Sequence, residues 1–384
     1  MRYRNLGDSR IKVPALGFGA MRMPMLKARR DTKRRTGVDV EEAVRMMHRA
    51  FDLGASYFDT AYGYHQGWSE PVVGKALKSL PRDRFMVATK MPVWLVSKPS
   101  DFNRLLRTQL RRLGTGYLDF YLLHALNKQS FEKARDFGVL DFLEAQKRQG
   151  RIRHTGFSYH DRASNFRPIL DAYEWELCQV QYNIVDTRYQ AGQSGVRYAA
   201  RRGIGVVVME PLRGGDLVNR LPPDIERIWS LLRPKRPPVE WALRWLWNQP
   251  EVSMVLSGMS SMGQLEQNAG IASRARKNSL TPEQLKAVSL VRAAYRRRIR
   301  VNCTNCGYCL PCPSGVDIPR NFSILNDHGM FLDSPAAVTE YNDWMSEDLR
   351  ASNCTGCGQC VPRCPQQIPI PEKLQQVHKK LART

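Results

Sequence analysis

The chain has 384 residues, of which 42% are hydrophobic and 25% are charged, and it carries a formal net charge of +23. The length suits one large domain and one small domain, and the composition is ordinary for a folded soluble protein. Residues 1–19 have charges scattered among short apolar groups, which excludes a signal-peptide core, and no run approaches the ~18 apolar residues of a membrane span. We therefore expect a cytoplasmic protein without a membrane span.

The basic charge includes two local runs, KARRDTKRR (27–35) and YRRRIR (295–300). Charge of this kind attracts polyanions or acidic proteins over long distances. The alternative is a solvated basic surface with no specific partner. No nucleic-acid recognition motif accompanies the charge, so it does not predict nucleic-acid binding.

Eight short apolar runs alternate with helical patterns between residues 16 and 258. The stretch 40–54 is one such helical pattern, with apolar residues at spacings of three and four and a closing glycine. Eight buried strands separated by helices predict a parallel (β/α)8 TIM barrel. A doubly wound sheet is the alternative, but no GxGxxG motif follows an early strand. The predicted strands are 16–20, 57–61, 85–90, 118–124, 152–158, 177–183, 205–210 and 252–258.

Polar residues fall at the carboxyl ends of seven of these predicted strands. In a (β/α)8 barrel those ends converge on one mouth, where active sites are built. Seven such residues in the same phase therefore predict a site there. They are Asp59, Lys90, His124, Ser158, Asn183, Glu210 and Ser257.

Three motifs resemble the aldo-keto reductase family, over roughly residues 1–272: FDTAYGY (58–64), ATK (88–90) and LLH (122–124). The resemblance implies a catalytic tetrad at Asp59, Tyr64, Lys90 and His124. A free tyrosine has a pKa near 10, and an adjacent ammonium favours the phenolate, so Lys90 would help Tyr64 give its proton to a developing alkoxide. Asp59 would hold Lys90 by charge pairing, and His124 would orient the substrate carbonyl or share the proton.

The same resemblance implies a nicotinamide site. Gln179 matches the glutamine that contacts the nicotinamide amide, and Ser158 matches a serine on the preceding strand. Gln267 and Asn268 resemble the residues that hold the adenine. Glu210 stands where many members place an aromatic ring that stacks on the nicotinamide.

The predicted adenosine-phosphate clamp lacks a cation. The family often has a lysine or arginine near the last strand, whereas residues 257–268 read SGMSSMGQLEQN. Without one, a 2′-phosphate loses charge-assisted hydrogen bonds worth roughly 1.5–3 kcal/mol each. Arg213 or Arg274 is a candidate substitute. NADP(H), NAD(H), a flavin and no nicotinamide all remain open as the cofactor.

Eight of the nine cysteines lie in two short runs near the C-terminus, and only Cys178 lies elsewhere. This clustering without a secretory start favours metal over disulfides. The second run has the C-x₂-C-x₂-C-x₃-C-P spacing of bacterial [4Fe–4S] ferredoxins, and the first run is one residue shorter before its last cysteine. Four-cysteine zinc sites are the alternative. The cysteines are Cys303, Cys306, Cys309 and Cys312, then Cys354, Cys357, Cys360 and Cys364.

In two-cluster ferredoxins the fourth cysteine of each run binds the other cluster. By that resemblance one cluster would take Cys303, Cys306, Cys309 and Cys364, and the other would take Cys354, Cys357, Cys360 and Cys312. The chain would then divide into an aldo-keto reductase barrel (1–280), a linking helix (281–300) and a small α-helical ferredoxin-like domain (301–384). A helix capped at Thr281 is predicted at the first boundary.

Three functions are compatible with these features. The first is an iron–sulfur-containing aldo-keto reductase that acts on a carbonyl/alcohol pair and passes electrons through two [4Fe–4S] clusters, with an acidic ferredoxin or flavodoxin as the carrier. The second is an NAD(P)H-dependent carbonyl reductase with structural clusters, and the third is a non-catalytic redox sensor. Because clusters carry single electrons, the first function also needs a flavin, a substrate radical or a nicotinamide that handles an electron pair.

Overall fold

The structure is a computed structural model that describes residues 1–26, 37–219, 221–303, 305 and 307–383. The basic run at 27–35 lies outside the described residues. The chain forms two compact units, one of residues 1–211 and 240–280 and the other of residues 212–239 and 281–384. No helix among the described residues is both long and apolar enough to cross a membrane.

The first unit contains a closed barrel of eight parallel strands, which confirms the predicted (β/α)8 fold. A two-stranded antiparallel hairpin precedes the barrel: β1 (Tyr3–Asn5) and β2 (Lys12–Pro14). The barrel strands are consecutive in the chain, and the last pairs with the first. They are β3 (Leu16–Gly19), β4 (Tyr57–Asp59), β5 (Met86–Met91), β6 (Leu118–Leu126), β7 (Ile152–Tyr159), β8 (Leu177–Gln181), β9 (Gly205–Met209) and β10 (Val252–Ser257).

Local capping residues set the helix bounds. Asp39 caps the first helix by accepting from the backbone N–H of Glu42, Gly114 ends the third in a left-handed conformation, and Thr281 forms the predicted cap of the twelfth. The helices are α1 (Val40–Asp52), α2 (Ser69–Leu77), α3 (Ser100–Leu113), α4 (Lys128–Asp136), α5 (Val139–Arg148), α6 (Ala163–Leu170), α7 (Gly192–Arg201), α8 (Asp216–Asn219), α9 (Pro223–Leu231), α10 (Pro238–Asn248), α11 (Met262–Ala272), α12 (Pro282–Arg296), α13 (Ile318–Met330), α14 (Pro335–Thr339) and α15 (Ile370–Leu381).

The barrel interior is filled by large apolar side chains from its strands. Tyr57, Phe120 and Leu122 belong to one buried cluster, and the rings of Tyr57 and Phe120 lie 5.4 Å apart. Such a packed interior is a core and not a pore. The polar side chains that follow the apolar runs are therefore displaced to the carboxyl ends of the strands, where they can meet at the mouth.

The second unit has its own apolar core between α13, α14 and α15. Phe322, Leu325 and Val377 are buried in it, and the described cysteines of both runs, apart from Cys357, pack against it as partly buried side chains. Asn321 of α13 ties this core to the second run, because its amide donates to the carbonyl of Leu349 and its oxygen accepts from the N–H of Ala351. The cysteine loops are thus held on a small, independent hydrophobic core.

Candidate active site and cysteine cavities

Lys90 is the centre of a buried polar group at the mouth of the barrel. Its Nζ donates to Oδ1 of Asp59 at 2.5 Å, to the carbonyl of Thr60 at 2.9 Å and to the phenolic oxygen of Tyr64 at 3.3 Å. The Lys90 side chain is 1% exposed, so water does not replace these contacts. Strands β4 and β5 pair with Asp59 opposite Ala88, which brings Asp59 and Lys90 to the same end of the barrel.

The charges of this group are coupled. Burial alone would lower the pKa of Lys90, but Asp59 and Tyr64 together raise it above the ordinary value, so Lys90 is an ammonium at neutral pH. Burial raises the pKa of Asp59, and Lys90 opposes that rise. Burial also raises the pKa of Tyr64, and here too Lys90 acts in the opposite direction. The ammonium favours the phenolate as expected, yet desolvation outweighs it and Tyr64 stays protonated.

His124, which is on β6, lies beside Tyr64. The two rings meet edge to face with centroids 5.8 Å apart, and burial holds the pKa of His124 well below its usual range, with Lys90 adding to the effect. The imidazole is therefore neutral, and its Nδ1 has no hydrogen-bond partner among the described residues. A neutral, unpartnered imidazole can donate or accept one hydrogen bond with a molecule bound at the mouth.

Trp94 is a neighbour of this group that the sequence did not point to. It lies in the short 3₁₀ turn Val93–Leu95 after β5, with its ring 5.0 Å from that of His124 and its side chain 53% exposed. The sequence feature that could have indicated it is an aromatic residue four positions after Lys90. Trp94 gives the mouth an apolar wall next to the tetrad.

A second buried network supports the backbone of Lys90. The carboxylate of Glu70, which is fully buried, accepts from the hydroxyl of Thr89, from the amide of Gln109 and from the guanidinium of Arg112. The Gln109 amide also donates to the carbonyl of Lys90 at 2.9 Å. Helices α2 and α3 thereby hold the end of β5 in place from outside the barrel.

Glu70→Gln is expected to lower the free energy of unfolding by about 2–4 kcal/mol, because it leaves Arg112 without its buried partner and sets an amide against other donors. The measurement is urea unfolding followed by tryptophan fluorescence. Glu132→Gln is the matched control, since Glu132 pairs with Lys128 at 3.9 Å on the surface and its loss should cost less than about 1 kcal/mol. Equal effects of the two variants would show that the network does not stabilise the barrel.

Three residues predicted from the nicotinamide resemblance are buried near the strand ends. Ser158 accepts from the N–H of Ala125 at 2.7 Å, and Asn268 donates to the hydroxyl of Ser257 at 3.2 Å. The side-chain carbonyl oxygens of Gln179 and Asn268 have no hydrogen-bond partner in the described part of the chain. Buried acceptors of this kind are normally paired, so both sites fit a ligand that offers N–H groups.

Glu210 lies directly after β9 in a left-handed conformation, with φ of 50°. Asn183 holds this backbone by donating to the carbonyl of Glu210 at 3.0 Å. The Glu210 carboxylate pairs with Arg22 at 2.9 Å, and a Cβ at Gly258 would lie 3.0 to 3.1 Å from the Arg22 side chain. Arg22 therefore brings a cation to the start of the 257–268 segment, a long-range contact that inspection of that segment could not find.

The other predicted cofactor contacts are placed differently. Arg213 belongs to the second unit, where its guanidinium pairs with Asp327 at 2.5 Å and lies over the ring of Phe331. Its charge is thus neutralised locally, which argues against its predicted role beside a cofactor phosphate. Gln267 is exposed on α11, and Arg274 is exposed with Glu240 4.0 Å away.

The described cysteines of the two runs line two cavities in the second unit. One cavity is lined by Cys312, Cys354, Cys357 and Cys360, and a second by Cys303 and Cys364, while Cys309 reaches both. Cys306 lies outside the described residues. The last cysteine of each run therefore lies with the first cysteines of the other run.

The Cys360 thiol is affected by three other cysteines that line the first cavity. Burial raises the pKa of the Cys360 thiol, and Cys354, Cys357 and Cys312 raise it further. A donor set of four thiols around one cavity fits a cluster, whose iron would stabilise the thiolates. No three histidine, cysteine or acidic side chains in the described ranges are grouped tightly enough for a single metal ion. Cys178 lies apart from both cavities, fully buried in β8, where burial raises its pKa to about 12.

Comparison with known proteins agrees with this division. Residues 15–291 match the model of the aldo/keto reductase family, and residues 302–369 match the model of the 4Fe-4S dicluster domain. The first match covers the barrel strands, and the second covers the cysteines that line the two cavities. They support iron–sulfur clusters as resident cofactors of the C-terminal segment.

Curated relatives and solved structures match the barrel portion. L-galactose dehydrogenase of Arabidopsis thaliana is 26% identical over 318 residues, which cover 75% of this chain and 93% of the relative. The NADH-specific methylglyoxal reductase of Escherichia coli is 28% identical over 264 residues, covering 57% and 79%. The structure of the aldo-keto reductase AKR11C1 from Bacillus halodurans is 29% identical, with a TM-score of 0.63 and coverage of 76% and 96%. The chain is an oxidoreductase of the aldo/keto reductase family, with a 4Fe-4S dicluster segment fused after its barrel.

Proposed function

We propose that the chain interconverts a carbonyl and an alcohol at the barrel mouth and exchanges the electrons through two [4Fe–4S] clusters. The observation that carries this proposal is the buried contact of Lys90 with both Asp59 and Tyr64. A phenol held against an ammonium, beside a neutral imidazole, is a proton donor set for a carbonyl oxygen. The substrate is a small molecule that carries this carbonyl.

Each tetrad residue has one task in this proposal. Tyr64 gives its phenolic proton to the carbonyl oxygen as that oxygen becomes an alkoxide, and Lys90 stabilises the phenolate that remains. Asp59 keeps Lys90 charged and in place. His124, being neutral, donates a hydrogen bond to the same carbonyl oxygen and so fixes its position beside Tyr64.

The buried acceptors at the mouth fit a nicotinamide. Gln179 would accept from the carboxamide N–H, Ser158 would donate its hydroxyl proton to the same amide, and Asn268 would accept from the adenine amino group. When bound, the nicotinamide supplies or accepts the hydride. Arg22 lies beside Gly258 at the start of the 257–268 segment, but it is paired with Glu210, so we expect little preference between NADPH and NADH. The name of the methylglyoxal reductase relative, which is NADH-specific, agrees with including NADH and small 2-oxoaldehydes among the candidates.

The cavity linings favour clusters that share ligands between the two runs. One would be held by Cys312, Cys354, Cys357 and Cys360, and the other by Cys303, Cys306, Cys309 and Cys364. When bound, the clusters supply single electrons. The iron–sulfur domain would then occupy 301–384, after a barrel domain in 1–280 and a linking helix in 281–300, and an acidic ferredoxin or flavodoxin would be the external carrier.

Anaerobic titration of the iron-reconstituted protein with NADPH and then NADH tests this proposal. Nicotinamide fluorescence reports binding, and cluster absorbance reports reduction. Binding accompanied by bleaching of the clusters would support one circuit that joins nucleotide, barrel and clusters. If neither nucleotide binds but dithionite bleaches the clusters, the nicotinamide part of the proposal is wrong.

Glu210→Gln is expected to tighten NADPH binding by about 3- to 10-fold, which corresponds to about 1 kcal/mol. The variant removes a carboxylate from the mouth and releases Arg22 to meet a phosphate. Fluorescence titration measures the change. Glu251→Gln is the control, because Glu251 precedes β10 at the opposite end of the barrel, and an equal change in both variants would contradict the role given to Arg22.

A further inference from the structure

The two cysteine runs contain almost no charged side chains of their own. Residues 301–316 contain no charged side chain, and residues 351–371 contain only Arg363. Residues 301–384 as a whole carry seven lysine and arginine against eight aspartate and glutamate residues, so residues 1–300 carry a net charge of +24. A neutral patch within a strongly basic protein is a local feature that average composition does not explain.

One cluster ligand lies at this surface. Cys357 is exposed, whereas Cys312, Cys354 and Cys360 around the same cavity are partly buried. The flanking residues Gly356 and Gly358 have φ of +73° and +70°, and among the described residues no atom beyond their chain neighbours lies within 4 Å of where a Cβ would be. The loop therefore places Cys357, one of the four residues that would hold a cluster in this cavity, at the protein surface.

The rim of this edge has the composition of a transient interface. Val361 is 36% exposed, Gln359 is exposed beside it, and Arg363 lines the same cavity and makes no ion pair with the described residues. The hydroxyls of Thr355 and Ser314 lie 3.2 Å apart and tie this loop to the end of the first run. A rim with few charged side chains and a single cation lets a partner approach closely without removing water from many charged groups.

We infer that the loop 355–363 is the docking surface at which an acidic one-electron carrier protein meets the cluster held by Cys312, Cys354, Cys357 and Cys360. This inference rests on the clusters of the proposed function. In the step, the reduced carrier loses one electron and the cluster gains it, with no bond or proton transferred. The basic remainder of the chain draws an acidic carrier toward it, and Arg363 orients the carrier on the neutral rim.

Opposite charges at one position test this inference. Val361 is neither a proposed ligand nor part of the cavity wall, so Val361→Glu and Val361→Lys change the rim and leave the cluster site intact. The probe is a reduced, acidic plant-type [2Fe–2S] ferredoxin, mixed with the reconstituted full chain in a stopped-flow instrument while cluster bleaching is recorded. At low salt Val361→Glu should slow the reduction by about 10-fold and Val361→Lys should not slow it, and the difference should collapse at about 0.5 M salt.

Two controls separate a docking effect from damage. Iron content and the rate of bleaching by dithionite should stay within about 3-fold of the parent protein, since a small reductant needs no docking. Lys379→Glu makes a charge change of the same sign on α15, away from the loop, and should have less effect than Val361→Glu. Tyr308→Glu tests the first run, where Tyr308 is 65% exposed next to Cys309.

Several results would overturn the inference. Equal rates in the two Val361 variants, or an effect no larger than that of Lys379→Glu, would show that the carrier does not dock on this loop. Slowing by Tyr308→Glu alone would move docking to the other cavity. If the parent protein binds no iron, the proposed function itself is wrong, whereas clusters that accept electrons from the ferredoxin equally in all variants would refute only the docking surface.

Discussion

Tyr64→Phe is expected to lower kcat for carbonyl reduction by about 100- to 10,000-fold, the usual contribution of a positioned general acid. The phenyl ring keeps the packing against His124 but has no proton to give to the developing alkoxide. The assay measures turnover of a carbonyl substrate under anaerobic conditions, with nucleotide affinity and cluster absorbance recorded in parallel. Both of those should be unchanged, because Tyr64 holds neither group in the proposal.

Tyr62→Phe is the matched control for this variant. Tyr62 lies two residues earlier, and its ring packs against the guanidinium of Arg112 rather than against Lys90. Its hydroxyl has no part in the proposed proton transfer, so turnover should stay within about 3-fold of the parent value. A Tyr64→Phe protein that turns over as fast as Tyr62→Phe would contradict the assignment of the proton donor.

The pH dependence of the reaction rates also tests the assignment of Tyr64 as the proton donor. Burial raises the pKa of Tyr64, and Lys90 offsets only part of that rise, so the phenol stays protonated. The rate of carbonyl reduction should therefore not change between about pH 6 and pH 9. Alcohol oxidation needs the phenolate, so its rate should rise with pH across the same range. His124 is neutral throughout because its pKa is lowered. Rate profiles in both directions check this, and a reduction rate that falls steeply above neutral pH would point to another acid.

Pairs of cysteine substitutions should separate the two clusters. Cys312→Ala with Cys354→Ala removes two ligands from one predicted cluster, and should leave about four iron atoms per chain and one intact [4Fe–4S] cluster. Cys303→Ala with Cys312→Ala removes one ligand from each, and should leave no cluster with four cysteine ligands. Iron analysis and low-temperature electron paramagnetic resonance of the reduced proteins distinguish these outcomes.

The alternative arrangement, in which each cysteine run binds its own cluster, predicts the reverse outcome for the same two variants. If each run binds its own cluster, Cys303→Ala with Cys312→Ala would leave one intact cluster and Cys312→Ala with Cys354→Ala would damage both. The position of Cys312 beside Cys354 and Cys360 would then not reflect the ligands of the assembled clusters. The pair of variants therefore tests the exchange of ligands whatever the enzyme's substrate.

Much of the fold could be predicted because its signals are local. Each barrel strand is a short apolar run. The cap at Thr281 is a capping box, in which the Thr281 side chain accepts from the backbone N–H of Gln284 and the Gln284 side chain accepts from the backbone N–H of Thr281. The convergence of strand ends in a parallel barrel predicted that Asp59, Lys90 and His124 lie at one mouth, whereas Tyr64 was assigned from the resemblance to the aldo-keto reductase family. Cysteine spacing alone identified the cluster-binding segment.

The contacts that could not be predicted join residues that are far apart in the sequence. Arg22 meets Glu210 across 188 positions, and no local pattern marks either residue as a partner of the other. Arg213 is a candidate for the missing phosphate-binding cation on sequence grounds, yet it pairs with Asp327, and both residues belong to the second unit. Residues 212–239 likewise belong to the same compact unit as residues 281–384. Charge pairing and burial over such separations appear only once the chain is folded.

The central claim is that electrons held by the clusters reach a carbonyl at the barrel mouth. The most direct test reduces the clusters with dithionite, removes the excess, and mixes the protein anaerobically with methylglyoxal, with and without NADPH or NADH. We predict that the clusters are reoxidised in at least one of these mixtures, that one carbonyl is reduced for every two electrons lost, and that Tyr64→Phe blocks both changes. Clusters that stay reduced in every mixture, while added NADPH or NADH reduces the same carbonyl, would contradict the claim and leave the clusters a structural role.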